Sequence, residues 1–105
     1  METENVENSI RIWYHIHMNN KQRKVYDQLY KDPVQADIKW SDIENLLVSL
    51  GAVKSEGNGS RVRIILNNER AVFHRPHPDG NTDKGAIKAV RRFLENAGVK
   101  KDDEL

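Results

Sequence analysis

The clearest pattern of apolar and polar positions in the chain predicts an amphipathic helix over residues 41 to 50. Its apolar positions recur at helical spacing and are occupied by Ile43, Leu46, Leu47 and Leu50. Ser41 and Glu44 match a capping box, in which the two side chains bind free backbone amides of the first turn, so we expect the helix to begin there. Gly51 follows at the position of a left-handed terminating residue.

A second amphipathic helix is predicted near the end of the chain, from a cap at Thr82 or Asp83 to a terminator at Gly98. At about 100° per residue, one arc of this helix is apolar and includes Ile87, Val90, Phe93 and Leu94. The opposite arc is basic and contains Lys84, Lys88, Arg91 and Arg92, together with Glu95. This separation predicts one face in the core and one face in solvent.

Three strands are predicted between the two helices. Residues 52 to 55 and 61 to 66 read as strands on either side of a polar turn, and residues 71 to 74 form the third strand after a second turn. The order of helix, three antiparallel strands and helix predicts an α+β sandwich, in which one face of the sheet is buried under the helices. It is the α-β-β-β-α order of the double-stranded RNA-binding domain.

The chain before this domain divides into two parts. Residues 1 to 17 alternate apolar positions at Ile10, Ile12, Tyr14 and Ile16 with other residues, which predicts a variable extension that is either a strand or disordered. Residues 18 to 38 predict a short helix, over about residues 20 to 31, followed by a linker. The main domain is then residues 39 to 101, and residues 102 to 105 form an acidic tail.

Composition narrows the class of protein. The 105 residues include no cysteine, no apolar run long enough to span a membrane and no readable secretory signal, so we expect a soluble cytoplasmic protein. The formal net charge is +1, but residues 39 to 101 carry twelve Lys and Arg against seven Asp and Glu. A basic domain favours a polyanionic partner, although charge alone is equally compatible with a merely solvated surface.

Several basic residues are placed to contact phosphates. Arg61 and Arg63 alternate along one strand and Arg75 follows the neighbouring strand, so we expect the three guanidinium groups on one surface. The basic arc of the last helix can span phosphates across an RNA groove. A solvated helix face and a charged sheet face remain the structural alternatives. The predicted RNA-binding residues are Ser60, Arg61, Arg63, Arg75, Lys84, Lys88, Arg91 and Arg92.

Two histidines are candidates for acid–base chemistry. His74 and His77 lie three residues apart, in a segment that two prolines stiffen. A neutral imidazole can take a proton from a ribose 2′-hydroxyl, but a histidine at a strand end is equally often structural. The spacing matches no established set of metal ligands, so we expect neither a metal nor another cofactor.

Over residues 40 to 99 the chain resembles the HicA toxins. The matching features are the helix that ends at residues 50 to 52, the Gly59-Ser60 turn, the Pro-His pair within residues 72 to 77, and the run of residues 84 to 99 with its Lys-Gly start and Ala-Gly end. The resemblance implies a double-stranded RNA-binding fold and an RNA target. It also implies a HicB-like antitoxin as partner in a type II toxin–antitoxin module.

The chain departs from the family pattern at one position that matters for chemistry. HicA toxins usually carry their catalytic histidine directly after the Gly-Ser pair, and Arg61 stands there in this chain. We therefore expect an RNA-binding toxin component with weak or absent RNA cleavage. One alternative is an active metal-independent ribonuclease, an mRNA interferase that uses His77 or His74. Another is a protein-interaction module that has lost RNA binding.

Overall fold

The computed structural model describes residues 18–76 and 80–99. In these ranges the element order is α1 (Asn20–Leu29), β1 (Ile38–Lys39), α2 (Trp40–Ser49), β2 (Val53–Glu56), β3 (Arg61–Leu66), β4 (Glu69–His74), β5 (Asn81–Thr82) and α3 (Lys84–Asn96). The predicted α+β class and its order of helix, three-stranded sheet and helix are confirmed. The expected extension at residues 1 to 17, the candidate His77 and the acidic tail at residues 102 to 105 lie outside the described residues.

Strands β2, β3 and β4 form an antiparallel meander with β3 in the centre. Val53 pairs with Ile65 across β2 and β3, and Arg61 pairs with His74 across β3 and β4. Residues along β3 alternate strictly between exposed and buried, which gives the sheet one inner and one outer face. Asn67 and Asn68 both have positive φ, at 51° and 70°, as a two-residue hairpin turn requires. Because this turn is so tight, β4 begins two residues earlier than the predicted residue 71.

One hydrophobic core joins the inner face of the sheet to all three helices. Ile43, Leu46 and Leu47 of α2 and Ile87, Val90 and Leu94 of α3 have no exposed surface. The aromatic rings of Trp40, Phe73 and Phe93 join α2, β4 and α3, with centroids 5.5 Å apart for the first pair and 5.7 Å apart for the second. Helix α1 adds Val25, Tyr26 and Leu29 to the same core, so it is an integral layer of the domain.

The helix ends follow the predicted signals except at the start of α2. Gly51 and Gly98 have φ values of 104° and 87° and end their helices as expected. Asp83 caps α3, because its carboxylate accepts a hydrogen bond of 2.7 Å from the Ala86 amide. The expected capping box of Ser41 and Glu44 is wrong. Helix α2 begins at Trp40, and no side chain caps it.

A short two-stranded sheet that the sequence pattern did not predict brings the starts of α2 and α3 together. Ile38 of β1 pairs with Thr82 of β5, directly ahead of the two helices. At the far end of α3, the Asn67 side-chain amide donates a hydrogen bond of 2.9 Å to the Ala97 carbonyl. Helix α3 therefore ends at the β3–β4 turn and begins at the opposite end of the sheet.

Candidate nucleic-acid interface

The end of the sheet opposite the β3–β4 turn brings three predicted site residues together. Arg61 and His74 are directly paired on adjacent strands, and both side chains are exposed on the outer face. The Arg75 amide donates a hydrogen bond of 2.9 Å to the Ser60 carbonyl, which fixes the turn beside the end of β4. Gly59 has a φ of 64°, a conformation that strongly favours glycine, so the turn depends on this residue. Ser60, Arg61 and His74 thus form one exposed cluster.

Arg63 lies on the same outer face, two residues further along β3, but Arg75 does not. Residues alternate between the two faces of a strand, and Arg75 is one position beyond the outward His74. The Arg75 guanidinium forms four hydrogen bonds on the inner side, two to the carboxylate of Glu44 and two to that of Glu56. The expectation that Arg75 shares a surface with Arg61 and Arg63 is therefore wrong, and its donors are already occupied by carboxylates.

Glu44 is the centre of this inner ion-pair cluster. Its carboxylate accepts hydrogen bonds from Arg75 Nε at 2.6 Å, from Lys54 Nζ at 2.9 Å and from the Trp40 indole. Burial raises the pKa of Glu44, but the hydrogen bonds from Arg75, Lys54 and Trp40 outweigh burial and lower the pKa to about 2. The hydrogen bond from Arg75 likewise lowers the pKa of Glu56, and the two carboxylates raise the pKa of Arg75. All three groups are charged at neutral pH.

Helix α3 presents most of its predicted basic arc to solvent. Lys84, Lys88 and Arg92 are exposed, together with Glu95. Since α3 begins at the same end as α2, and Glu44 of α2 contacts Arg75 beside His74, Lys84 lies at the end of the domain that carries Arg61. We call Ser60, Arg61, His74 and Lys84 the basic end of the domain, and Lys88 and Arg92 continue from it as an exposed row along α3.

Arg91 is the exception on this helix, because its long side chain turns toward α1. The guanidinium donates hydrogen bonds to the carbonyls of Leu29 and Lys31, and it lies 5.8 Å from the centroid of the Tyr30 ring. One nitrogen is also 3.6 Å from the Asp32 carboxylate. Arg91 therefore ties the end of α1 to α3, and the structure does not bring its guanidinium into the exposed row of Lys84, Lys88 and Arg92.

Sequence reasoning missed Glu44 and Glu56 as partners of Arg75, and it missed Lys54 as a second cationic partner of Glu44. One signal was available for Glu44, because Trp40, Glu44 and Leu47 fall on one side of an amphipathic helix at spacings of four and three. A carboxylate inside an apolar stripe predicts a cationic partner, since an unpaired buried charge is costly. No comparable local pattern marks Glu56, which meets Arg75 only when the strands pair, or Lys54, which meets Glu44 only when β2 packs against α2.

No group of three or more metal-ligating side chains is present within residues 18–76 and 80–99. In the same part of the chain, no helix has the length and apolar character needed to cross a membrane.

The fold and the basic end define a small α+β domain with a cationic surface at one end of an antiparallel sheet. A family model described as the HicA toxin of bacterial toxin–antitoxin systems matches residues 40–99. Because this match covers more than half of the 105 residues, the chain belongs to the HicA toxin family. A HicB antitoxin is the kind of partner that this family implies. The chain has no significant match to a curated protein or to a solved structure.

Proposed function

We propose that this chain is the RNA-binding toxin component of a type II toxin–antitoxin module, that it acts in the cytoplasm, and that it cleaves RNA weakly or not at all. The observation that carries the proposal is the exposed row of Lys84, Lys88 and Arg92, which leads along α3 to the Arg61 end of the sheet. Cations spaced along one helix face gain affinity for RNA by displacing counterions from successive phosphates.

A salt titration of binding to a short RNA duplex tests this proposal. The double substitution Lys88→Glu and Arg92→Glu should weaken binding to all sequences similarly and flatten the plot of log affinity against log salt by about two phosphate contacts. A matched control reverses Lys24 and Lys31, two exposed lysines of α1 and the turn that follows it. The control should leave both the affinity and its salt slope unchanged.

If the natural chain binds RNA with no salt dependence, or if both double variants lose the same affinity, the basic end and the row along α3 are not the RNA-binding surface. The chain would then be better described as a protein-interaction module.

Weak cleavage follows from the chemistry of Arg61. Metal-independent cleavage needs a base for the 2′-hydroxyl, positive charge for the phosphorane-like transition state and an acid for the leaving oxygen. A guanidinium stays protonated in proteins, so Arg61 supplies charge and cannot accept the proton. General acid–base help from a single histidine is worth only about 10²- to 10⁴-fold.

A ribonuclease that uses His74 or His77 is the second candidate function, and the direct pairing of His74 with Arg61 favours it. This pairing sets the exposed imidazole of His74, which can act as a base, beside the charged guanidinium of Arg61, which can bind a phosphate. We expect Arg61→His to raise cleavage of a labelled RNA and His77→Ala to abolish it in either background. Robust cleavage by the natural chain, removed by His74→Ala or His77→Ala, would instead establish the ribonuclease.

A further inference from the structure

The outer face of the sheet carries a patch of exposed aliphatic side chains that the proposed RNA-binding surface does not use. Val53, Ile65 and Val72 are 67 %, 40 % and 55 % exposed. Among the described residues, the fourth large hydrophobic side chain exposed to this degree is Val48 of α2. Val53 pairs directly with Ile65, and Val72 lies on the other neighbour of β3. We call Val53, Ile65 and Val72 the aliphatic patch.

The charges around the aliphatic patch have a single sign. Arg70 pairs with Ile65 across β3 and β4, and Arg63 pairs with Val72. The Arg63 guanidinium donates a hydrogen bond of 3.0 Å to the Glu56 carbonyl, which holds it along the face. No carboxylate is present among the eight residues that β2, β3 and β4 present outward, which are Val53, Ser55, Arg61, Arg63, Ile65, Arg70, Val72 and His74.

We infer that this face docks a protein segment that combines aliphatic side chains with carboxylates. Clustered aliphatic groups on a soluble domain mark an interaction surface, and the flanking arginines fit carboxylates in bidentate geometry. RNA is a poorer fit for the patch, because bases bind to sheets by stacking on aromatic rings, and the aromatic ring on this face, that of His74, lies at the opposite end of the strands from Ile65. A second copy of the same face would bring arginine against arginine.

The inference is independent of the proposed RNA binding, because the aliphatic patch occupies the part of the sheet toward the β3–β4 turn. Arg61 and His74 form the opposite end of the same two strands. Substitutions in the patch and in the row of Lys84, Lys88 and Arg92 can therefore be assessed separately. The three side chains of the patch lie on three neighbouring strands, which are about 4.8 Å apart. The patch is therefore wide enough for one extended segment.

The test uses the full chain and a synthetic peptide of about ten residues that alternates Glu with Val, followed by nuclear magnetic resonance of the labelled protein. We expect saturable binding with a Kd below about 1 mM, and the largest shifts at the amides of Arg63, Ile65, Arg70 and Val72. A peptide that alternates Glu with Ser has the same charge without the aliphatic groups, and it should bind about tenfold more weakly.

Two variants separate the contribution of the aliphatic patch from general effects. Ile65→Thr with Val72→Thr keeps β-branched residues in the strands and should weaken the Glu-Val peptide about tenfold. Val48→Thr removes an equally exposed aliphatic side chain from α2 and should leave the affinity within about twofold.

A third variant, Arg70→Glu, tests the contribution of the positive charge while keeping every aliphatic group. It should also weaken binding about tenfold.

Four results would overturn the inference: no saturable binding of the Glu-Val peptide, equal binding of the Glu-Ser peptide, an unchanged affinity in the Ile65/Val72 variant, or stronger shifts of the patch amides with an RNA duplex than with the peptide. The last result would identify the outer face as RNA-binding. If the peptide binds as expected while the Lys88/Arg92 variant keeps its RNA affinity, the docking surface stands and the proposed RNA-binding surface fails.

Discussion

Removing Arg75 should destabilise the domain, because its guanidinium is the main counter-charge of the buried Glu44 carboxylate. The Glu44 side chain is 6 % exposed, and Arg75 supplies two hydrogen bonds to it, of 2.6 Å and 3.1 Å. Arg75→Met keeps a long side chain over the core and removes the charge. In this variant the Glu44 carboxylate loses the two hydrogen bonds from Arg75 but keeps those from Lys54 and Trp40.

The pKa of Glu44 sets the scale of this effect. A change from its ordinary value of 4.5 to about 2 corresponds to about 3 kcal/mol in favour of the charged form, at about 1.4 kcal/mol per pKa unit. The hydrogen bonds from Arg75, Lys54 and Trp40 together provide this stabilisation and also offset the cost of burying the carboxylate. Arg75 makes two of the four hydrogen bonds. We therefore predict that Arg75→Met lowers the free energy of unfolding by about 2 kcal/mol at pH 7, which lowers Tm by about 8 to 16 °C.

The stability that Glu44 contributes should fall at low pH. Because folding lowers the pKa of Glu44, its contribution to stability is complete above about pH 4.5 and is lost as the pH falls from there toward 2. The difference in stability between the natural chain and Arg75→Met should therefore be constant between pH 6 and 8, and it should shrink below about pH 4.5.

Urea unfolding followed by circular dichroism measures these differences, with Arg70→Met as the control at an exposed arginine of the outer face. The control should lie within about 0.5 kcal/mol of the natural chain. Combining Glu44→Gln with Arg75→Met should cost at least about 1 kcal/mol less than the sum of the two single changes. An Arg75→Met chain as stable as the control, or strictly additive single changes, would refute the role given to this ion pair.

Three further predictions concern other parts of the fold. Arg91→Lys should cost about 1 to 2 kcal/mol in urea unfolding, because lysine lacks the planar fork that donates to the carbonyls of Leu29 and Lys31, whereas Arg92→Lys should be neutral. The Asn68→Gly variant should be more stable than the Asn68→Val variant by about 1 kcal/mol or more, because the position has a φ of 70°, which a β-branched residue adopts poorly. Equal stabilities of the two variants would contradict the turn geometry. A chain that starts at Met18 should melt within about 4 to 8 °C of the full chain, while one that starts at Lys39 should lose its cooperative transition in calorimetry, because Val25, Tyr26 and Leu29 leave the core.

Local sequence was sufficient for the features that depend on neighbours along the chain. The apolar spacing predicted α2 and α3, Gly51 and Gly98 predicted their ends, and the polar turn before residue 61 predicted the hairpin of β2 and β3. These signals work because helix caps, tight turns and two-sided strands impose their requirements within a few residues. The same local matches over residues 40 to 99 were enough to indicate the HicA family, which the family model confirms.

The partners of three charged residues were decided only by the tertiary structure. Glu44 looked like half of a capping box, Arg75 like a neighbour of Arg61, and Arg91 like a member of a basic stripe. In the folded chain Glu44 and Arg75 neutralise each other across 31 positions of sequence, and Arg91 reaches carbonyls about 60 positions away. A long charged side chain can reach several environments from one backbone position. Which environment it takes depends on the buried groups that need a partner, and chain packing alone brings those groups within reach.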